Sequence, residues 1–408
     1  GTMLAYIFVC LTFSVAFSSR FRSPSHAIAM KISTFIYVPE TGWSADALPA
    51  LDSEQTLVLA FGAADLRHVE APLADLVQAY PRSHLIGCST AGEIYGTALT
   101  DESLVVAVVR FERTHLARAS APANTPDDSF TAGETIARTL LRPDLRGVLV
   151  LSDGHTVNGT QLVGGLNAVL PEPVIVTGGL AGDGARFERT WVLHDGKPQS
   201  GYVSAVGFYG PHVRLGHGSK GGWDIFGIER RVTRSKDNIL YELDGRPALQ
   251  LYKEYLGERA DGLPATALLF PLALRADAAD TKRIVRTVLD IDEASNAMIF
   301  AGDIPEGSLA QLMQANFDRL VDGAAEAALM THTNGHAERP VLSVAISCVG
   351  RRLVLGERSE EELEATLEVL PAHAHQIGFY SYGEISPYAT GHCDLHNQTM
   401  TLTTIREV

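Results

Sequence analysis

The sequence is poor in cysteine. Its 408 residues include four, Cys10, Cys88, Cys348 and Cys393, and no two stand at C-x-x-C spacing. That excludes a disulfide-stapled scaffold and a cysteine-rich zinc module. Basic charge is scarce too: 33 Lys and Arg face 48 Asp and Glu, a formal net charge of −15. Nucleic acids and anionic membranes are bound through a positive footprint, so neither is an expected partner. No low-complexity linker divides the chain. What is present is a core: 46% of residues are hydrophobic and 20% charged, the balance of a globular, cytoplasmic protein of two or three domains.

The first 29 residues stand apart. Leu4–Phe17 is a mainly apolar run of 14 residues, shorter than the ~20 residues a membrane helix needs. A signal peptide has about this apolar length, and Ala27-Ile28-Ala29 resembles a cleavage site. No Lys or Arg precedes the run, however, and Arg20 and Arg22 follow it. Met30-Lys31-Ile32 reads as a native start. Residues 1–29 are therefore expected to be an extension or mis-started terminus outside the fold.

The rest of the chain repeats itself. Ile86–Ile94 and Ile377–Ile385 share I-G-x-x-x-x-G-E-I. Before the first, the apolar run Leu57–Phe61 reads as a buried strand, and Leu73, Leu76, Val77 and Tyr80 fall at helical spacing. A second such unit runs from Gly147–Leu151 through Leu162, Leu166 and Val169 to Val174–Asp183. A third runs from Leu342–Ser347 through an acidic helix, Ser359 to Leu370, to Gly378–Ile385. Ser359 and Glu362 suggest a capping box. Between the second and third, Tyr202–Tyr209, Arg231–Thr233, Ala267–Leu274, Arg283–Asp290 and Ala297–Ala301 read as strands, and a long helix is predicted from about Ser308 to Met330. Strand, helix, strand and glycine loop are the parts of an α/β unit. The expectation is an α/β fold (α+β mixed), in two related lobes with mixed sheets flanked by helices, made by internal duplication.

Several stretches together resemble the FIST family, tandem FIST_N and FIST_C sensory modules of bacteria. They are Gly87–Ile94, Thr177–Gly184, Tyr241–Gly257, Phe300–Ser308, Ser347–Arg351, Gly378–Ser386 and His396–Leu402, in collinear order. The resemblance implies an N-terminal domain over 30–248 and a C-terminal domain over 249–408. It implies a sensor, not an enzyme, that binds a small molecule and acts on a signalling partner. Gly218–Gly227 with Leu268–Arg275 is similar to the NosP branch of nitric-oxide-sensing haem proteins. That likeness implies haem b as cofactor, nitric oxide as ligand, and a histidine kinase or cyclic-di-GMP enzyme as partner. A homodimer is left open, as is a haem-free sensor of an amino acid or similar metabolite.

Haem needs an axial ligand, usually histidine, in an apolar pocket, and the lack of C-x-x-C-H excludes covalent c-type attachment. His217 lies between glycines, with Trp223 near enough in sequence to stack on a flat ring. His155 ends a predicted strand. His84 and His375 precede the two matched loops. No metal is expected beyond the haem iron, although His373, His375, His392, Cys393 and His396 gather zinc-type ligands near the C-terminus. Gly216, Gly218 and Gly221 match G-x-G-x-x-G, but no helix-forming sequence follows, so a dinucleotide site is not expected. The glycine loops lack the Lys-Ser/Thr of a P-loop. Their backbone N–H groups could still cradle an anion. The candidate ligand loops are thus Gly87, Cys88, Ser89, Gly92 and Glu93; Gly178, Gly182 and Asp183; and Gly378, Tyr380, Tyr382, Gly383 and Glu384. A remaining alternative is a hydrolase or transferase using Cys88 as nucleophile or Glu93 and Glu384 as an acid–base pair.

Overall fold

A computed structural model describes residues 30–331, 339–389 and 391–408. The expectations for residues 1–29 lie outside the described residues. Among the described residues, no helix is long and apolar enough to cross a membrane.

The α/β class and the duplication both hold, with mixed parallel and antiparallel sheets flanked by helices. The repeated unit occurs three times. In the first, strand Thr56–Gly62 leads through helix Leu66–Ala79 to the parallel strand His84–Ser89. A hairpin, Glu93–Tyr95 and Ala98–Thr100, then leads to the antiparallel strand Leu104–Arg110, which pairs with Lys31–Val38. The second repeats this with Leu145–Ser152, helix Gly159–Asn167, Ile175–Leu180, hairpin Val192–His194 and Lys197–Gln199, and Tyr202–Tyr209 beside His115–Pro122. The third uses Val341–Cys348, helices Val349–Leu355 and Ser359–Val369, Ala374–Ser381, hairpin Gly383–Pro387 and Cys393–His396, and Met400–Glu407 beside Val213–Lys220. The edge strand of this third unit thus precedes the boundary expected at 248.

No unit keeps its own hairpin. Glu93–Tyr95 pairs with Ala374–Ser381 of the third unit. Gly383–Pro387 pairs with Ile175–Leu180 of the second. Val192–His194 pairs with His84–Ser89 of the first. The exchange closes into a cycle and covers the exposed edge of every parallel strand, which would otherwise offer unpaired backbone groups.

Each central strand is buried on both faces, which is why it reads as a continuous apolar run. One face of each sheet meets a shared core that takes Phe61 and Val105 from the first unit, Leu149 and Val206 from the second, and Val344 and Phe379 from the third. Phe61 and Phe379 meet there with ring centroids 4.7 Å apart. The other faces pack on the units' own helices.

A fourth, nine-stranded sheet is inserted in the third unit, between Val213–Lys220 and helix Phe317–Met330. Here the sequence expectations need correction. The helix predicted from Ser308 begins as strand Leu309–Gln314, because Ala310, Leu312 and Met313 are claimed by pairing with Leu272–Arg275 and Asp224–Ile225. The predicted strand Ala267–Leu274 is a helical turn, Ala265–Leu269, followed by Leu272–Arg275. The capping box at Ser359 does not form. Glu362 turns inward to the buried Arg351 guanidinium, 2.7 Å away, since a buried cation without a partner is costly.

Gly87, Gly178 and Gly378 hold equivalent places beside Ala60, Val150 and Ala345. A Cβ at these glycines would fall 2.1, 1.8 and 1.7 Å from the neighbouring carbonyl oxygen. Backbone cannot yield as a side chain can. Gly378→Ala is expected to destabilise at the upper end of the ~1–3 kcal/mol typical of overpacking. Gly164→Ala, in a helix with only the Phe130 ring at 3.4 Å, is expected to be neutral or stabilising by up to ~1 kcal/mol. Urea unfolding of the two variants checks both.

Candidate functional site

The glycine loops converge where the units exchange hairpins, and their carboxylates are turned inward. Glu93 is 1% exposed; its Oε2 accepts from Ser103 N at 3.1 Å and Ser103 Oγ at 2.8 Å, and its Oε1 accepts from Thr90 Oγ1. Glu384 is equivalent: Ser381 Oγ donates at 2.6 Å, Thr399 N at 3.2 Å and Thr399 Oγ1 at 2.8 Å. In the second unit Val192 takes the corresponding register position, and Asp153 supplies the carboxylate instead, accepting from Gly201 N at 3.0 Å. In all three units, then, a buried carboxylate ties down the residue that starts the last strand. Burial pushes Glu93 up to about 7 and Glu384 up to about 8, against hydrogen bonds that favour the charged form.

A cavity of about 490 Å³ lies elsewhere. It opens at the carboxyl ends of strands Leu145–Ser152 and Val341–Cys348, where open α/β sheets bind ligands. The inserted sheet closes the other side through Leu263, Leu268, Leu289 and Phe300. Its volume is within the ~300–1,000 Å³ of small-molecule sites. The walls are mostly apolar, and the described lining residues include no Lys or Arg. The polar groups are few. His155 is exposed at the cavity, and its backbone N–H donates to Asp153 Oδ1 at 2.8 Å. Asp303 accepts from Asn158 Nδ2 at 3.0 Å and Gln161 Nε2 at 2.9 Å. Asn158 also caps helix Gly159–Asn167.

Asp183 shapes the rim. It accepts from the backbone N–H groups of Phe187, Glu188 and Arg189 at 2.8–2.9 Å and from the Tyr382 hydroxyl. Burial opposes its ionisation, but these donors together hold it below the usual carboxylate range. The bonds keep Phe187 at φ 55°, a left-handed conformation rare for a bulky residue. Its ring, 43% exposed, stacks on Tyr382 at 4.6 Å. Leu289 and Leu353, also exposed, complete an apolar lip.

The comparisons with known proteins agree with this architecture. Residues 56–246 match the FIST N domain and residues 248–387 match the FIST C domain. The chain belongs to the FIST family. FIST domains are sensory modules of signal transduction. An uncharacterized protein of Methanocaldococcus jannaschii is 23% identical over 339 residues, which covers 75% of this chain and 61% of the relative. The chain thus spans less than two thirds of the length of that relative.

In this FIST chain the candidate residues separate. Of the four histidines proposed for haem, His155 alone lines the cavity. His217 sits opposite Thr403 in a paired strand. The glycines beside it serve packing: a Cβ at Gly218 would lie 1.9 Å from Ala327 O of helix Phe317–Met330, so strand alternation turns His217 away from that helix. His84 Nε2 lies 3.0 Å from Glu54 O. His375 belongs to strand Ala374–Ser381, and burial lowers its pKa. Trp223 is buried against Gln398 O at 2.8 Å and lines a different, smaller cavity. Of the ligand-loop set only Tyr382 reaches the large cavity. Gly87, Gly178 and Gly378 serve the strand crossings. Gly182 N and Tyr380 N join in the bonds between units, to Ser89 O and Gly92 O. Gly383 pairs with Leu180.

The residues named for the enzyme alternative lie inside the scaffold. Cys88 is fully buried, and burial raises its thiol pKa well above the ordinary value. Glu93 and Glu384 are committed to separate units. The C-terminal histidines also disperse: His373 meets Arg339 O, and His396 meets Ser386 O at 2.9 Å. Among the described residues no group of three His, Cys, Asp or Glu is placed to hold a metal. Sequence reasoning missed Asn158 and Asp303. The Phe300–Ser308 stretch did mark Asp303, but without a role.

The buried glutamates make stability depend on pH. Their folded pKa values lie above the ordinary 4.5, so the folded chain binds more protons. Their contribution is complete below about pH 4.5 and is lost as pH rises through 7 and 8. Stability to urea is expected to fall from pH 5 to pH 9, by at most about 1.4 kcal/mol per pH unit for each group. The double variant Glu93→Gln/Glu384→Gln is expected to flatten that decline. An unchanged slope in the variant would assign the effect to other groups.

Proposed function

We propose that the chain is a small-ligand sensor whose ligand occupies the 490 Å³ cavity, and that this ligand is haem b held by His155. The observation that carries this reading is one accessible imidazole beside an apolar cavity at the ends of two central strands. An apolar enclosure and one histidine are what a haem of this kind requires of its protein. Among the described residues the lining holds no Lys or Arg to pair with haem carboxylates. A bound haem iron would supply the capacity to bind nitric oxide.

The chain's own part is to hold His155 and to respond when its position changes. Asp153 accepts from the backbone N–H groups of His155 and Thr156, both at 2.8 Å, and from Gly201 N. A movement of the His155 loop therefore strains a carboxylate that also anchors the start of strand Tyr202–Tyr209. The lip formed by Phe187, Leu289 and Leu353 would present the change to a partner such as a histidine kinase or a cyclic-di-GMP enzyme.

The test is the absorption spectrum of protein purified from haem-supplemented cells. A Soret band is expected, with the ferrous nitric-oxide spectrum lost in His155→Ala and retained in His217→Ala. The reverse pattern would overturn the assignment to His155. No Soret band, even after reconstitution, would sink the haem reading.

Asp303 favours a second reading, a haem-free sensor for an amine-bearing metabolite such as an amino acid. A carboxylate in a cavity without cations suits an ammonium group. Amino acids would then raise the unfolding temperature as their concentration exceeds Kd, and Asp303→Asn would remove the shift.

A further inference from the structure

A second cavity, about 240 Å³, lies where Val213–Lys220 of the third unit meets the inserted sheet. Its chemistry is opposite to that of the first. Lys220 comes from the third unit and Arg283 from the insert, and among the described lining residues there is no Asp or Glu. In a chain of net charge −15, the described lining is therefore locally basic. Neither cation is held by a close, buried carboxylate. Arg283 is exposed and acts on Glu229 only through space, with no hydrogen bond or ion pair to a described residue. The ion pair of Lys220 with Glu326 is long, 3.8 Å, and its two side chains are 47% and 60% exposed, a geometry that contributes little.

Ser219, Thr399 and His396 add neutral polar groups, and the rest of the wall is largely apolar. Trp223 is fixed by the bond from its Nε1 to Gln398 O, and Met313 and Val285 lie beside it. Tyr388, stacked on the His396 ring at 6.4 Å, forms another side. Such walls offer an aromatic or aliphatic body a dry surface. An arginine fork and a lysine together match the oxygens of a phosphate or carboxylate.

We propose that this cavity is a second binding site, for a small organic anion. Its carboxylate or phosphate group lies between Lys220 and Arg283, and its apolar body lies against Trp223. Occupancy ties the insert to the third unit. Arg283 and Val285 line this cavity, whereas Thr287, Val288 and Leu289, further along the same segment, line the large one. Between them the buried Arg286 donates from Nε to Asp303 O at 3.1 Å. The segment that would grip the anion therefore continues into the wall of the large cavity.

Calorimetric titration of the full chain with phenyl phosphate and, separately, benzoate tests the site. The expected result is saturable binding of at least one probe at one site per chain, weakened tenfold or more in Arg283→Gln and in Lys220→Gln. Preference for one probe identifies the headgroup. Circular dichroism establishes that the variants fold. Absence of saturable binding by either probe overturns the proposal, as does equal affinity in wild type and Arg283→Gln.

Discussion

The structure depends on backbone hydrogen bonds that cross from one unit to the next. Each unit ends its parallel pair on an open edge and sends its hairpin to another unit. First gives to third, third to second, and second to first. The open edge of each parallel pair is closed by a strand from another unit, and each sheet turns one face to a core the three units share. Such an arrangement leaves little for any one unit to fold around by itself. It also explains the glycines. A hairpin can reach a neighbouring sheet only if the crossing strand lies tight against its parallel partner, and a Cβ at Gly87, Gly178 or Gly378 would occupy the partner's carbonyl.

The buried carboxylates follow from the same constraint. Each hairpin exchange leaves a backbone N–H at the start of the returning strand with no ladder partner, and a buried donor must be satisfied. Glu93 and Glu384 satisfy it from the exchanged hairpin, and Asp153 from the end of a central strand. The substitution in the second unit has a consequence. Asp153 also gathers the His155 loop, so the unit that departs from the repeat supplies His155 to the large cavity. Acidic groups that look like paired catalytic residues in the sequence thus serve the scaffold, while the departure from the pattern marks the site.

Much of this was legible in the residues. The central strands are continuous apolar runs because both faces are covered, and Tyr202–Tyr209 was bounded correctly for that reason. The matched glycine loops revealed the duplication. The insert was harder to read. Its strands are short and half exposed, so Leu309–Gln314 carried an apolar pattern that a helix would also satisfy, and pairing with Leu272–Arg275 decided the matter. Glu362 fitted a capping box by spacing, but the cost of burying Arg351 outweighed the local preference. Among the histidines, flanking glycines pointed to His217, although those glycines answer to the carbonyls of helix Phe317–Met330 on the other side of the strand.

By itself the sequence determined the class of the fold, the repeat and the family. These rest on local pattern, which does not depend on what lies across space. Its scarcity of cysteine left little material for disulfides, and Cys88, Cys348 and Cys393 are free thiols. Only the tertiary structure decided which hairpin covers which edge, that Cys88 and the two glutamates lie inside the scaffold, and that His155, Asn158 and Asp303 share one cavity. Hydrogen-bond pairing and burial join residues more than a hundred positions apart, and neither spacing nor periodicity carries that information.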